Sequence, residues 1–166
     1  MIERLEQESI SVEEGTEMKS RIGIRALRPD ERGSWEPLWQ GYLTFYKAAV
    51  APEVTDTTWG RLHDPAEPMH GLGAFLDDAL VGIVHYLFHR STWTIGDYCY
   101  LQDLFTAPEA RGQGAGRALI EAVYDHAKVA GASRVYWLTH ETNATARALY
   151  DTLADRPGFI QYRQMI

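Results

Sequence analysis

Residues 101–130 read LQDLFTAPEARGQGAGRALIEAVYDHAKVA, an apolar strand, a glycine-rich connector and an amphipathic helix in direct succession. Three glycines alternate at Gly112, Gly114 and Gly116, and Arg111 opens the run where the strand hands over to the helix. Without Cβ atoms the backbone turns tightly and its amides can converge on one point. A phosphate placed there also meets the positive end of the helix dipole. The stretch therefore predicts an anion cradle made of main chain, in an α/β protein.

Two familiar phosphate loops are excluded by spacing. A Walker A loop requires Gly-Lys-Ser/Thr after four residues, whereas Gly116 is followed by Arg117 and Ala118. A dinucleotide fingerprint counted from Gly112 requires a third glycine where Arg117 stands. What remains is Arg-x-x-Gly-x-Gly at Arg111, Gly114 and Gly116, with an ordinary glycine-rich turn as the bland alternative.

With 166 residues and 45% hydrophobic content, the chain has enough apolar side chains for one sizeable core and is expected to form a single domain over 21–166. Its net charge of −7 argues against a nucleic-acid binder. Much of that charge lies in residues 1–20, where Glu3, Glu6, Glu8, Glu13, Glu14 and Glu17 face only Arg4 and Lys19, a composition expected of a mobile tail. The single cysteine, Cys99, cannot form an intramolecular disulfide and reads as a buried structural thiol in a cytoplasmic protein. No apolar run reaches membrane-spanning length, and the acidic start lacks the features of a secretory signal.

Along the chain, RIGIRAL (21–27) reads as a strand, and Pro29-Asp30-Glu31 as a turn into a helix over 34–50. On that helix Leu38, Tyr42, Phe45 and Tyr46 recur at helical spacing, which predicts a core-packing stripe or, alternatively, the wall of an acceptor site. A second short helix is expected over 53–64, then a hairpin of 71–76 and 79–89 around Asp77-Asp78. Alternation puts Val81, Ile83 and His85 on one face of the second strand and Gly82, Val84 and Tyr86 on the other. His85 and His89 are a conceivable metal pair, but no third ligand stands at recognisable spacing, and no metal is expected. After the strand at 98–106 and the glycine loop, Leu119, Val123, Ala127 and Ala130 predict the buried face of a helix ending at Gly131. Residues 133–140 then read as a strand. Thr142-Asn143 caps a helix over 144–155 with Ala144, Ala148 and Leu149 inward, and Gly158-Phe159 begins a last strand.

Together, YLQDLFTAPEARGQGAG, VYWLTHETNATARALY and the later Gly158-Phe159 resemble the GNAT N-acetyltransferases, especially their spermidine/spermine and related diamine acetyltransferase branch. The resemblance runs from Ile22 to the C-terminus and implies a mixed, mostly antiparallel, splayed sheet flanked by helices, with a homodimer as the assembly it suggests. It also implies acetyl-CoA as co-substrate. Leu104, Phe105 and Thr106 would bind the pantetheine arm through backbone groups, and Arg111, Gly112, Gln113, Gly114, Ala115, Gly116 and Arg117 would surround the pyrophosphate, with Asn143 also meeting the cofactor.

The implied activity is acetyl transfer to a primary amine by direct attack in a ternary complex. Tyr150 would be the general acid for the leaving thiolate, since a phenol near pKa 10 and a thiol near 8.5 can exchange a proton. The acceptor is expected against Gln102, Tyr136, Trp137 and Tyr42. The diamine branch carries glutamate where this chain has Gln102, and glutamine cannot accept a proton as a carboxylate does. Asp103, His140, Glu141 or water remain as the base, and strict alternation would put Gln102 and Asp103 on opposite faces. Acetylation of protein lysines and a non-catalytic acyl-CoA sensor are the competing functions.

Overall fold

A computed structural model describes residues 22–166; the acidic stretch 1–20 lies outside the described residues. One five-stranded sheet runs in the order β1 (Gly23–Ala26), β2 (Met69–Leu76), β3 (Ala79–His89), β4 (Tyr98–Thr106) and β5 (Arg134–Tyr136). The first four strands are antiparallel neighbours and only β4–β5 is parallel. Helices α1 (Arg32–Phe45) and α2 (Pro52–Arg61) follow β1, α3 (Ala115–Val129) follows β4, and α4 (Ala144–Tyr150) follows β5. The expected mixed, mostly antiparallel sheet flanked by helices is thus present. The hairpin turn takes Asp77 and Asp78 at φ +48° and +65°, the paired left-handed conformations that match the right-handed twist of the flanking strands.

The sheet carries a different core on each face. Against α3 pack Leu72, Ala74, Val84, Tyr86, Cys99 and Leu101, meeting Ala115, Leu119, Ile120, Val123 and Ala127. On the other face Trp35, Leu38, Trp39 and Leu43 of α1 and Trp59 of α2 pack with Ile83 and Ala107. The expected two faces of β3 hold: Ile83 belongs to the second core, Val84 and Tyr86 to the first. Cys99 is the buried structural thiol, its ionisation pushed up to about 12 by burial.

Five expectations fail. In α1 the buried stripe is Trp35, Leu38, Trp39 and Leu43, whereas Phe45 and Tyr46 are exposed at the helix end. Phe45 instead borders a cavity of about 490 Å³ shared with Phe105 and Arg111. Ala130 lies past the end of α3 and is exposed. Its neighbour Gly131, at φ +72°, ends the helix as expected. α4 stops at Tyr150, with Ala144 and Ala148 exposed and only Leu149, Tyr150 and Leu153 leaning on the first core.

Finally, β5 pairs for three residues only, and 158–166 forms no strand, although β5 is an outer strand of the sheet. Phe159, Ile160, Tyr162 and Met165 are consequently exposed.

Candidate active site

Two irregularities of β4 create the site. The first is the early departure of β5: the pairs Tyr98–Arg134, Cys99–Val135 and Tyr100–Tyr136 are the whole ladder, so β4 from Leu101 onward faces a cleft instead of a strand. The second is a bulge. His85 pairs with Asp103 and Tyr86 with Leu101, leaving Gln102 without an opposite residue. One extra residue reverses the phase of alternation. Cys99 and Leu101 accordingly face the α3 core, while Phe105 packs on the α1 core and Asp103 meets His85. Uniform alternation, which would group Asp103 with Leu101, does not hold across Gln102.

The cleft leads straight into the glycine loop. After a 3-10 turn at Pro108–Ala110, Gly112 and Gly114 adopt φ +77° and +90°, and Gly114 is the N-cap of α3. These two glycines are needed for their backbone conformation. Gly116 is not: its φ is ordinary, and a Cβ there would lie 3.5 Å from Leu149, a normal contact. The first-turn amides of α3 have no acceptor within the helix, and no acidic residue stands in that turn. Arg111 caps the carbonyl of Thr106 through Nε at 3.3 Å, and Arg117 ties the helix start to Thr152 at 2.8 Å. Main-chain donors, positive dipole and two guanidinium groups fit a pyrophosphate-bearing ligand.

Asn143 caps α4, accepting from the Ala146 amide and donating to Thr139 Oγ1 at 3.1 Å. The cap holds the β5–α4 connection beside the cleft and brings Tyr150 edge-on to Trp137, centroids 5.4 Å apart. Burial, then the nearby Tyr46 phenol, pushes Tyr150 up to about 12. The site's tyrosine is therefore a weaker acid than a free phenol.

On the α1 side the polar centre is a buried chain of hydrogen bonds. Trp35 Nε1 donates to His85 Nε2 at 2.9 Å, and His85 Nδ1 lies 3.0 Å from Asp103 Oδ2. The three residues are 0%, 2% and 8% exposed. Around Asp103 stand Tyr42, stacked on Trp39 at 5.6 Å, and Tyr100, stacked on Tyr136 at 5.0 Å. Burial and then the Asp103 carboxylate raise the ionisation of both Tyr42 and Tyr100.

Of the residues expected around the acceptor, Tyr42 and Tyr136 thus reach this aromatic wall and Trp137 reaches Tyr150, while Gln102 is exposed at the bulge. His140 and Glu141 are exposed, and the hydrogen bonds they make are local, to Thr142 and from Arg147. Both ring nitrogens of His85 and of His89 are already engaged, His89 by Arg90 and Tyr136. Trp35, His85 and Tyr100 join the site with no motif in the sequence to mark them. Alternation does put His85 on the correct face, but it puts its partner Asp103 on the wrong one unless the bulge is counted.

Relatives agree with this architecture. The acetyltransferase (GNAT) family matches residues 26–154. The D-amino-acid N-acetyltransferase HPA3 of Saccharomyces cerevisiae is 35% identical over 89% of this chain and 92% of its own. A thialysine N-epsilon-acetyltransferase of Bos taurus is 35% identical over 80% of this chain and 64% of its own. Among solved structures, a ribosomal-protein-alanine N-acetyltransferase from Brucella melitensis superposes with a TM-score of 0.75 at 22% identity, over 88% of this chain and all of that one. A family that generally draws its acetyl group from acetyl-CoA explains why a glycine-opened helix, a β4 edge without its neighbour and a capped tyrosine helix surround one cleft: the chain belongs to the GNAT family of acetyltransferases.

Proposed function

We propose that this enzyme transfers the acetyl group of acetyl-CoA to the primary amine of a small, amino-acid-like molecule. The reading rests on one observation above all. The open edge of β4 runs without interruption into a helix start that has free amides and no acidic residue in its first turn. Backbone groups of Leu104 to Thr106 would hold the pantetheine arm, and the loop from Arg111 to Arg117 the pyrophosphate. The co-substrate supplies an activated thioester; the chain's residues supply placement and proton control.

Asp103 is the carboxylate at the floor of the acceptor site. Its aromatic walls, Tyr42 and Tyr100, suit an ammonium group by stacking and charge. Asp103 takes the proton from that ammonium so that the amine attacks the thioester carbonyl directly. Tyr150 protonates the departing sulfur and regains its proton from the attacking nitrogen, which gives up its second proton as the amide forms. Its raised pKa is no obstacle where a thiolate shares the same cleft, because burial opposes that charge too. Cys99, buried and hard to ionise, offers no acyl carrier, which favours direct transfer in a ternary complex. The acceptor class follows the names of the relatives, a D-amino-acid and a thialysine acetyltransferase, and Gln102 in place of a carboxylate disfavours polyamines.

No helix among the described residues is long and apolar enough to cross a membrane, and the free thiol suits a reducing cytoplasm. Self-association belongs to the same reading, with the exposed apolar residues Phe159, Ile160, Tyr162 and Met165 covered by a second copy.

Calorimetric titration with acetyl-CoA, followed by an acceptor screen monitored by thiol release, tests the assignment. Wild type should bind and release thiol with amino-acid-like amines, and Gly114→Asp should lose binding while staying folded. Binding without release on any amine would identify a sensor, and release only with protein substrates a lysine acetyltransferase.

A further inference from the structure

The buried chain Trp35–His85–Asp103 has a direction that hydrogen-bond chemistry fixes. Indole nitrogen only donates, so His85 Nε2, 2.9 Å from Trp35 Nε1, must be the accepting, unprotonated nitrogen. A neutral imidazole then carries its proton on Nδ1 and donates it to Asp103 Oδ2 at 3.0 Å. An imidazolium would set a second N–H against the indole N–H in a site with no water-accessible alternative, Trp35 being 0% and His85 2% exposed.

We infer that Trp35 and His85 are positioning residues that keep a neutral hydrogen bond on one oxygen of Asp103, leaving its full negative charge for the acceptor ammonium. This rests on the reading of Asp103 as the acceptor's carboxylate. The distinction is between a neutral spacer and a cation. A protonated His85 would form a closed ion pair with Asp103 and cancel the charge that draws and deprotonates the amine. The other ionisable groups facing this pair, Tyr42 from α1 and Tyr100 from β4, are phenols held protonated beside the carboxylate and so supply no competing charge. The bulge at Gln102 is part of the device, since it turns Asp103 onto the face where β3 presents His85.

Glutamine separates this role from proton shuttling. Its amide oxygen can accept from Trp35 and its NH2 donate to Asp103, yet it cannot carry a proton between them. His85→Leu should lower kcat/KM for the acceptor by roughly ten- to a hundredfold, the scale of one or two lost hydrogen bonds around a charge. His85→Gln should restore most of that loss, with acetyl-CoA affinity unchanged in both. Trp35→Phe, which removes only the N–H donor and some ring area, should lose acceptor kcat/KM more at pH 6 than at pH 8.5. Its His85 ring should show ¹⁵N shifts of a protonating imidazole where the wild-type ring shows a single Nδ1–H tautomer.

A folded His85→Gln as impaired as His85→Leu would overturn the spacer role, as would a wild-type ring observed as the Nε2–H tautomer or the cation. Asp103→Asn is the control for the underlying reading. If that variant keeps wild-type acceptor kinetics, Asp103 is not the acceptor's carboxylate and the inference falls with it. If Asp103→Asn is impaired while the His85 and Trp35 variants are not, only the positioning role is lost.

Discussion

The α3 face of the sheet and its α1 face bury similar numbers of side chains with different chemistry. Against α3 the core is almost wholly aliphatic, Leu, Val, Ile and Ala around Cys99, with the Tyr86 phenol reaching out to His126. Against α1 and α2 it is built on three tryptophans, and the three buried polar residues among those described, Thr55, His85 and Asp103, are all there. Each has a partner: Trp39 donates to Thr55, Trp35 to His85, and His85 pairs with Asp103.

An aliphatic face tolerates small displacements at the cost of packing energy alone. A face of buried dipoles does not, because every donor left without an acceptor costs about 1 to 3 kcal/mol. The second face is therefore harder to build and more exact in what it holds. Asp103, the carboxylate proposed for the acceptor, takes a defined orientation there.

That contrast is open to test. Asp103→Asn should reduce turnover by about a hundred- to ten-thousandfold, the range of general acid–base catalysis. Because asparagine keeps the shape and can still accept from His85, the melting temperature should stay near wild type. A matching loss of stability would erase the distinction between the faces.

Leu119→Ala, on the aliphatic face and 0% exposed, should do the reverse. Denaturation in urea should show about 2 to 5 kcal/mol lost, with kcat/KM unchanged well below the unfolding transition. Tyr150 lies between the two behaviours, half-buried against the aliphatic core yet aimed at the cleft. Tyr150→Phe should lower kcat by roughly ten- to a thousandfold with acetyl-CoA affinity retained. Since its hydroxyl is pushed up to about 12, any alkaline limb of the rate profile below pH 10 must come from another group.

The smallest effect belongs to the rim of the α1 face. Glu31 is bound by Arg25 at 2.6 Å and by the Arg28 amide at 2.8 Å, which with burial opposing lower it to about 2. A depressed carboxylate stabilises above its unfolded value of about 4.5 and loses that contribution as pH falls toward 2. Glu31→Gln should cost roughly 0.5 to 1 kcal/mol at pH 7 and progressively less as pH falls through the folded value of about 2, read from denaturation at each pH.

Most of the cofactor side is legible in the amino-acid sequence. The glycine spacing, the strand preceding it, the amphipathic helix after it and the Asn143 cap are local features, set by backbone conformations only glycine adopts freely and by side chains that reach their own helix. The acceptor side is not legible in that way. Alternation is a rule for an unbroken ladder, and whether β4 bulges at Gln102 depends on how β3 pairs with it. Nor can periodicity in α1 separate the buried Trp35 and Trp39 from the exposed Phe45 and Tyr46, since all are aromatic and what packs beneath the helix decides which are covered.

The expected last strand is missing for the same reason. Residues 158–166 have the composition of a strand, but a strand needs a paired neighbour, and the only stretch of β5 that stays in the sheet is Arg134–Tyr136. Local chemistry along the chain set the helices, the glycine-opened loop and the family they belong to. The tertiary structure alone decided the face to which Asp103 turns, the three-residue life of β5 and the opening of the cleft, because each is a relation between strands far apart in the chain.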